Sequence, residues 1–389
     1  MSTGTWFSLA VFLLVAAVCF DVTRGWRRLN ELRFVPAVLP APTPMVSIVV
    51  AALNEADTIA PALRSLLAID YPRLEVIVVN DRSTDATPQI IDDIAREHPS
   101  LRVIHIHELP SGWLGKNHAL QRGAQAASGD YLLFTDADAV FAPSAVRRAV
   151  AYCAEHRIDH LSLLFELVAH SRLLRLLVVS FGAGFMARFR PWKVRESPSH
   201  HVGIGGFNLV GRAAYFDAGG HAAMPLAVLD DMMLGKLLKR HGYRQDLLIG
   251  TDMVRIEWYR NTAGLVRGLE KNIFAGFDYR LAQLIAVTVL VLATRVWPWL
   301  GLLLTDGLAW RLNLLTVMVG LLLYADLLRA RGWGLECLVY APLVPLIELA
   351  IWWRGALLVL LRGGIDWRGT RYPLAMLRRA HDAGGGEIR

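Results

Sequence analysis

The chain has 389 residues, with 41 Lys and Arg against 34 Asp and Glu, so its formal net charge is +7. Hydrophobic residues make up 54% of the chain and charged residues only 19%, whereas soluble domains have about 25% charged residues. This composition excludes a mainly disordered chain, because disordered segments are poor in apolar residues. Three scattered cysteines (Cys19, Cys153 and Cys337) are too few for a disulfide framework or a zinc site. The composition indicates a membrane protein.

The first apolar run, from Trp6 to Phe20, predicts an N-terminal transmembrane anchor over residues 1–24. No Lys or Arg precedes this run, and a basic, Pro-rich linker over residues 25–45 follows it, which is unlike a cleaved signal peptide. The positive-inside rule therefore places the N-terminus outside and the following residues in the cytoplasm. We expect an integral protein of a bacterial-type inner (plasma) membrane.

A second membrane region is predicted over residues 276–362, before a basic tail over residues 363–389. Two apolar runs, 281–304 and 312–328, are each typical of a span. A third run, 335–361, is interrupted by Pro, Glu and Arg, so it is either a third span or a re-entrant segment. The basic tail favours the re-entrant form, because three further spans would place it outside.

The sequence between these regions, residues 46–275, predicts a cytoplasmic α/β domain with a mixed, mostly parallel sheet. Apolar, β-branched strands alternate there with helical patterns, which is typical of a sheet covered on both faces. The predicted strands are 46–52, 74–79, 101–105 and 131–134, and the predicted helices are 58–69, 87–97 and 117–127. An apolar stretch with interspersed arginines near 161–190 predicts either interfacial helices or a buried helical layer of the domain.

Polar residues follow three of the predicted strands at the point where each strand ends. Asn54 and Glu55 follow the first strand, Asp81 follows the second, and Asp136 and Asp138 follow the fourth. Such residues are common in turns and helix caps, but their recurrence at three strand ends favours one shared ligand site. Two carboxylates two residues apart suit Mg²⁺ or Mn²⁺, which bridge protein oxygens to substrate phosphates.

Lys116 and the pair Asp230 and Asp231 are further candidates for the chemistry. The sequence has neither a phosphate-binding P-loop nor a dinucleotide fingerprint after its first strand. A diphosphate would therefore be held by metal and nearby cations, of which Lys116 is a candidate. The acidic pair Asp230 and Asp231 is either part of a reaction centre or the polar start of a helix.

Together these motifs resemble the ordered motifs of family 2 glycosyltransferases, which are inverting enzymes with a GT-A nucleotide-diphospho-sugar transferase fold. The resemblance covers roughly residues 44–275 and rests on the segments 46–55, 79–87, 115–116, 136–138 and 230–235. Several connectors and the tail, among them 109–116 and 367–372, are most similar to the membrane-bound branch associated with hopanoids and carotenoids. The resemblance implies a GT-A domain with N- and C-terminal transmembrane helices.

The resemblance also implies a role for each residue that binds the donor. Asn54 and Glu55 would line the nucleotide pocket, and Asp81 would meet the base. Lys116 would contact nucleotide or diphosphate, and Asp136 would lie near the ribose and the metal. The expected donor is a nucleotide sugar, with a UDP-sugar as the family default.

The same resemblance assigns the metal and the catalytic pair. Asp138, together with Asp136, would hold Mg²⁺ or Mn²⁺ on the diphosphate. In the pair of Asp230 and Asp231, the second acid would be the general base that takes the acceptor's proton. The implied reaction is a single displacement that inverts the anomeric carbon.

The acceptor is expected to be a membrane lipid hydroxyl, such as that of a hopanoid or carotenoid. Processive family members carry Gln-x-x-Arg-Trp after the base, but this chain has Arg255-Ile-Glu-Trp258-Tyr-Arg260 there, which favours the addition of one sugar. Gly205, Gly206, Trp258 and Arg260 are the candidate acceptor-pocket residues. A nucleic-acid partner is not expected, because the basic residues cluster at the membrane flanks.

Two alternatives stay open. The acceptor is a polyprenyl phosphate, whose anionic oxygen needs little base catalysis, or the chain is a non-catalytic glycosyltransferase-like partner in the membrane. The acids at the matching positions argue against the second alternative, because a protein without activity need not keep them.

Overall fold

A computed structural model describes residues 2–383 and divides them into two compact units. The unit with the large sheet consists of residues 29–168, 191–257 and 376–383. The helical unit consists of residues 2–28, 169–190 and 258–375. These bounds differ from the predicted domain 46–275, because residues 169–190 group with the membrane helices.

The sheet unit is built on eight strands in the order β3-β2-β1-β4-β7-β6-β8-β5. The strands are β1 (Val46–Ala52), β2 (Leu74–Asp81), β3 (Leu101–Ile106), β4 (Tyr131–Asp136), β5 (Val140–Phe141), β6 (His160–Leu167), β7 (Asn208–Gly211) and β8 (Gln245–Ile256). Neighbours run parallel from β3 to β4 and between β6 and β8, whereas β7 is antiparallel to β4 and β6, and β5 to β8. The predicted mixed, mostly parallel sheet is confirmed.

Helices connect the strands and cover the sheet. Those of the sheet unit are α2 (Ile59–Leu67), α3 (Thr87–Glu97), α4 (Gly115–Ala126), α5 (Ala145–His156), α7 (Arg212–Asp217) and α8 (Asp230–Arg240). On β1, Ile48 and Val50 share a buried cluster with Leu63 of α2. Val49 points to the other face, where it lies against Gly123 of α4. Because both faces are covered, the strand is apolar apart from the buried Ser47 and shows no polar alternation.

Residues 25–45 were predicted to be a basic, Pro-rich linker, but residues 29–33 pack within the sheet unit. Leu32 is fully buried in the main core cluster. The Asn30 carbonyl accepts a hydrogen bond of 2.8 Å from the Ile249 amide of β8, and Arg33 pairs with Asp252 at 2.8 Å. This segment is therefore part of the sheet unit.

The prediction of helices near 161–190 is wrong for residues 161–167. These residues belong to β6, which pairs with β7 and β8 inside the sheet, and only α6 (Arg172–Phe189) is helical. The physical reason is that a continuous apolar run fits a strand buried on both faces as well as a buried helix. Periodicity could not separate the two.

The helical unit contains four helices that are long and apolar enough to cross a membrane. They are α1 (Thr3–Trp26), the helix Leu281–Leu304, α12 (Gly307–Ala330) and α13 (Val344–Arg362). The second of them comprises α10 (Leu281–Val291) and α11 (Trp297–Leu304), joined by a π-helical turn at Leu292–Val296. α6 and α9 (Thr262–Gly276) complete the unit's longer helices.

The third predicted C-terminal run, 335–361, is broken near its start. A 3₁₀ helix covers Leu335–Tyr340, and α13 follows with Pro345 in its first turn. By length and composition α13 alone could span a membrane. The tail continues as a hairpin of β9 (Gly364–Trp367) and β10 (Thr370–Pro373) and then α14 (Leu374–Ala383). The last residues of the predicted tail, 384–389, lie outside the described part.

The contact between β1 and α4 predicts a loss of stability in Gly123→Val. A side chain at Gly123 would overlap Val49 and press on Val79, and overpacking of this kind costs about 1–3 kcal/mol. We expect the thermal unfolding midpoint of the detergent-solubilised chain to fall by several degrees. The matched control is Gly320→Val in α12, where an added Cβ has open space around it. Equal midpoints for the two variants would contradict this packing.

Candidate active site

The carboxyl ends of three neighbouring strands bring the predicted acidic residues to one edge of the sheet. β2, β1 and β4 are adjacent and parallel. Asp81 is the last residue of β2, and Asp136 is the last residue of β4. Asn54 lies two residues beyond Ala52, the end of β1. The predicted common edge is therefore present in the fold.

Lys116 lies at the centre of the acidic residues. Its Nζ is 2.9 Å from Oδ1 of Asp136 and 3.3 Å from Oδ2 of Asp230. These contacts tie the first turn of α4 to the end of β4 and to the first residue of α8. Burial lowers the pKa of Lys116, but Asp136, Asp230 and Asp231 outweigh burial and hold that pKa above its usual range. Lys116 is therefore a permanent cation.

Asp231 is fixed by two main-chain amides. Gly205 donates to its Oδ2 and Met232 donates to its Oδ1, each at 2.8 Å. A Cβ on Gly205 would lie 3.0 Å from Oδ2 of Asp136 and 3.4 Å from Oδ2 of Asp231, so Gly205 separates the two carboxylates. Burial and the neighbouring Asp230 raise the pKa of Asp231 above its usual range. A carboxylate with a raised pKa is a stronger base.

The glycine-rich segment beside Asp231 depends on the absence of side chains. A Cβ on Gly203 would overlap the main-chain carbonyl of Asp231, and a Cβ on Gly206 would overlap the side chains of Phe165 and Ile256. Gly203 therefore seats the segment on the start of α8. Gly206 packs towards the sheet, so its predicted role in an acceptor pocket would be indirect.

Asp138 lies in a field of negative charge. Burial, Asp136 and Glu55 raise the pKa of Asp138 above its usual range, against a smaller lowering effect of Lys116. Glu55 itself accepts a hydrogen bond of 3.0 Å from the Thr58 hydroxyl at Oε2. Like charges crowded in this way are relieved when a cation binds between them.

The donor set fits a divalent cation that shares its coordination with substrate. Within residues 2–383, no group of three or more His, Cys, Asp or Glu side chains could enclose a metal ion. Mg²⁺ is commonly bound through one or two carboxylates together with substrate phosphates. Asp136 and Asp138 supply two such carboxylates, and the negative charge around Asp138 favours binding of a cation.

Asn54 links two of the strand ends. Its side-chain Oδ1 accepts a hydrogen bond from the main-chain amide of Thr84 at 2.8 Å. Its main-chain amide donates to the Ser83 hydroxyl at 3.0 Å. Its φ of 56° lies in the left-handed region, which Asn tolerates better than most residues. Asp85 also joins the two loops, since its carboxylate accepts from the Ala56 amide at 3.2 Å. Asn54 thus shapes the predicted nucleotide pocket by holding its loops.

Asp81 has a partner that the sequence analysis missed. Its side chain is 3% exposed, and its two oxygens accept from Nε and Nη2 of Arg82 at 2.7 and 3.0 Å. A Cβ on Gly115 would overlap this carboxylate, so Asp81 lies against the start of α4 next to Lys116. The only indication of this ion pair in the sequence is that Asp81 and Arg82 are adjacent.

A buried histidine behind Lys116 was also missed. His221 is 1% exposed, and its Nδ1 shares a hydrogen bond of 2.8 Å with the Tyr215 hydroxyl. Burial and the charge of Lys116 lower the pKa of His221 to about 3, so its imidazole is neutral. The only indication of His221 in the sequence is that it follows two glycines, Gly219 and Gly220. This residue supports the wall behind Lys116 without adding charge.

Trp258 and Arg260 lie in the helical unit. The rings of Trp258 and Tyr259 have centroids 5.0 Å apart. Their predicted role in an acceptor pocket stays a prediction.

Comparison with known proteins gives the fold and family context of this site. Residues 47–175 match the family described as Glycosyl transferase family 2. A beta-monoglucosyldiacylglycerol synthase from Synechocystis sp. is 35% identical over 156 residues, which is 38% of this chain and 32% of that protein. A poly-beta-1,6-N-acetyl-D-glucosamine synthase from Staphylococcus epidermidis is 35% identical over 96 residues, 24% of this chain and 22% of that protein. The match spans about a third or less of the length of these relatives.

A solved structure extends the likeness beyond the family segment. A mannosyltransferase from Pyrobaculum calidifontis, in complex with GDP-Man and Mn²⁺, aligns with 92% of this chain and 99% of its own, at a TM-score of 0.54 and 20% identity. At this identity the likeness concerns the fold. The matched family segment, residues 47–175, lies mostly in the sheet unit, which contains the mixed sheet. Residues 47–175 are thus similar to glycosyltransferase family 2, and the fold is similar to that of the mannosyltransferase.

Proposed function

We propose that the chain transfers one sugar from a nucleotide-sugar donor to a hydroxyl group of a membrane lipid, with inversion at the anomeric carbon. The observation that carries this proposal is the contact of Lys116 with both Asp136 and Asp230, with Asp231 across Gly205 from Asp136. One small region of the sheet unit thus holds residues for both reaction partners. Donor-side residues come from the end of β4, the residues just after it and the start of α4, and the base comes from α8.

The roles follow from charge and position. Asp231 takes the proton of the acceptor hydroxyl, because its raised pKa makes it a competent base and its two amide contacts fix its direction. Lys116 supplies positive charge to the donor diphosphate, and Asp230 orients Lys116. One displacement needs no enzyme nucleophile, so the product has the inverted configuration.

Asp136 and Asp138 would hold Mg²⁺ or Mn²⁺ on the donor diphosphate. A cation bound there stabilises the negative charge of the departing nucleoside diphosphate. The crowded carboxylates around Asp138 support this role. The Pyrobaculum mannosyltransferase was solved with Mn²⁺, and its fold likeness is consistent with a metal here.

Two observations support a lipid acceptor at the inner face of a bacterial-type plasma membrane. Four helices within residues 2–383 are long and apolar enough to span a membrane. A relative over 156 residues is a beta-monoglucosyldiacylglycerol synthase, whose name describes glycosylation of a lipid. A hopanoid, carotenoid or similar lipid hydroxyl is the proposed acceptor, and a UDP-sugar is the proposed donor. The basic residues that follow the first span support a cytoplasmic sheet unit.

The proposal predicts that Asp231→Asn abolishes transfer to a lipid alcohol but leaves donor binding in place. An amide cannot take the acceptor's proton, and loss of general base catalysis lowers rates by about 10²–10⁴-fold. The measurement is the turnover number of the purified full chain with radiolabelled nucleotide sugar and extracted lipids. Nucleoside diphosphate affinity, measured by calorimetry, is expected to stay within a few-fold of the wild type.

The control is Asp92→Asn, which removes a carboxylate that pairs with His105 on the exposed side of α3. This variant is expected to match the wild type in both measurements. An Asp231→Asn enzyme that still glycosylates an alcohol would contradict the assigned base. Retained activity on polyprenyl phosphate alone would instead identify an anionic acceptor.

The metal assignment predicts that Mn²⁺ binds more weakly as the pH falls from 8 to 6. Burial and the neighbouring acids raise the pKa of Asp138, so this carboxyl takes up a proton in that range, and a metal ligand must be deprotonated. Binding can be followed by the electron paramagnetic resonance signal of free Mn²⁺ with UDP present. Asp138→Asn should weaken binding by about tenfold or more, since a charged ligand is lost.

The control for the metal is Glu97→Gln, an exposed carboxylate at the end of α3. Its Mn²⁺ affinity and pH dependence should equal those of the wild type. An affinity that is independent of pH, or unchanged in Asp138→Asn, would contradict metal binding by this carboxylate.

A further inference from the structure

Several arginines in the helical unit contact carboxylates. Across the described residues of this unit, four such pairs are Arg27–Asp326 (2.5 Å), Arg190–Asp21 (2.9 Å), Arg295–Glu348 (2.5 Å) and Arg354–Glu270. Arg295 is the least exposed of the four, and its pairing with the buried Glu348 is expected, because a guanidinium removed from water is costly unless an anion compensates it.

Arg331 is less exposed than most arginines of this unit but has no carboxylate partner among residues 2–383. It follows the last residue of α12 and is half-buried. Its Nη1 donates to the Leu327 carbonyl at 3.0 Å, and within residues 2–383 no carboxylate lies within ion-pair distance of it. Its Nη2 is directed towards α6, where a Cβ on Gly182 would be 3.7 Å away. Because Gly182 has no side chain, space remains beside the guanidinium.

Arg175, in α6, is a second cation of this kind. It lies seven residues before Gly182, so the two positions share one face of α6. Its Nε donates to the Ala169 carbonyl at 2.9 Å, and its guanidinium is 5.9 Å from the ring centroid of Trp333. Trp333 follows Arg331 by two residues, so both cations border the same junction of α6 and the end of α12.

The carboxylate nearest in sequence to this junction, that of Glu336, pairs with a different arginine. Glu336 is 3.9 Å from Arg172, and both side chains are largely exposed, at 48% and 63%. A solvent-exposed pair at this distance is weak. Arg331 and Arg175 therefore have no close carboxylate among residues 2–383 to compensate their positive charge.

The junction lies at the basic end of the membrane helices. Asp326 of α12 accepts from Nε1 of Trp26 at 3.0 Å, at the end of α1, so the C-terminal ends of α1 and α12 lie side by side. Arg24, Arg27 and Arg28 are at that end of α1, and Arg329 is at that end of α12. Basic pockets between transmembrane helices on the cytoplasmic side are typical sites for anionic lipid head groups.

We propose that Arg331 and Arg175 bind the phosphate of an anionic phospholipid from the surrounding leaflet, in the space that Gly182 leaves beside α6. A phosphodiester supplies the negative charge that the protein does not provide, and guanidinium groups bind phosphate oxygens through paired, charge-assisted hydrogen bonds. Trp333 is suited to the interface depth of such a head group. The site is separate from the proposed sugar transfer and does not rest on it.

The test is binding of dioctanoyl-phosphatidylglycerol to the full chain in uncharged detergent, followed by calorimetry. We expect saturable binding that weakens with added salt, and no binding of dioctanoyl-phosphatidylcholine or of inorganic phosphate. Arg331→Gln should weaken the phosphatidylglycerol affinity by about tenfold or more, because the charge-assisted bonds are lost. Arg175→Gln should act in the same direction.

Two further variants keep the test decisive. Arg329→Gln removes the same charge from an exposed side chain at the same helix end, and its affinity should match the wild type. Gly182→Leu keeps every charge but fills the space beside Arg331, and it should weaken binding as Arg331→Gln does. Gly182→Leu also covers the case in which Arg331→Gln does not fold.

Three results would overturn the proposal. Equal losses in Arg329→Gln and Arg331→Gln would indicate general surface attraction instead of a site. Unchanged affinity in Gly182→Leu would place the lipid elsewhere. Tighter binding of a short polyprenyl phosphate than of phosphatidylglycerol would make the ligand a phosphorylated isoprenoid and not a phospholipid of the leaflet.

Discussion

The site of the sheet unit depends on one ammonium group among several carboxylates. Parallel strands deliver acids to a common edge, and the start of α8 adds two more. Carboxylates collected in this way repel one another, and burial strengthens the repulsion. Lys116 offsets it by contacting Asp136 and Asp230 together. The remaining negative charge, around Asp138, favours a metal ion and a substrate that brings its own phosphates.

The sequence predicted the parts of this arrangement that follow from local pattern. The bounds of β1 and α3 agree with those expected, because each is a strong apolar or amphipathic run with clear ends. The gathering of Asp81 and Asp136 at one edge followed from the parallel alternation of strands and helices alone. In a parallel sheet all strands end at the same edge, so the residues at their carboxyl ends lie close together.

The parts that could not be predicted depend on contacts between distant segments. Nothing local in the sequence indicates that Lys116 meets Asp230, or that Gly205 lies between Asp136 and Asp231. The strand at 160–167 was mistaken for helix because burial on both faces removes the polar alternation that identifies a strand. These features are set by packing, which a pattern along the chain does not contain.

The helical unit follows a related electrostatic rule. Arg295 lies in the π-helical turn of a possible span, and it contacts Glu348 at 2.5 Å, Tyr324 at 2.7 Å and Ser180 at 2.6 Å. These contacts join α6, α12 and α13 to that turn. A charge so well compensated is structural, whereas Arg331 and Arg175, which have no close carboxylate among residues 2–383, are proposed to bind a ligand from outside the chain.

The most direct test of the central claim is the release of nucleoside diphosphate from a panel of nucleotide sugars by the purified full chain. The assay would contain Mn²⁺ or Mg²⁺ and would be run with and without extracted membrane lipids. The account predicts release from one donor that depends on lipid and stops when EDTA removes the metal. Tight binding of a nucleotide sugar with no release under any of these conditions would contradict the account and indicate a non-catalytic membrane partner.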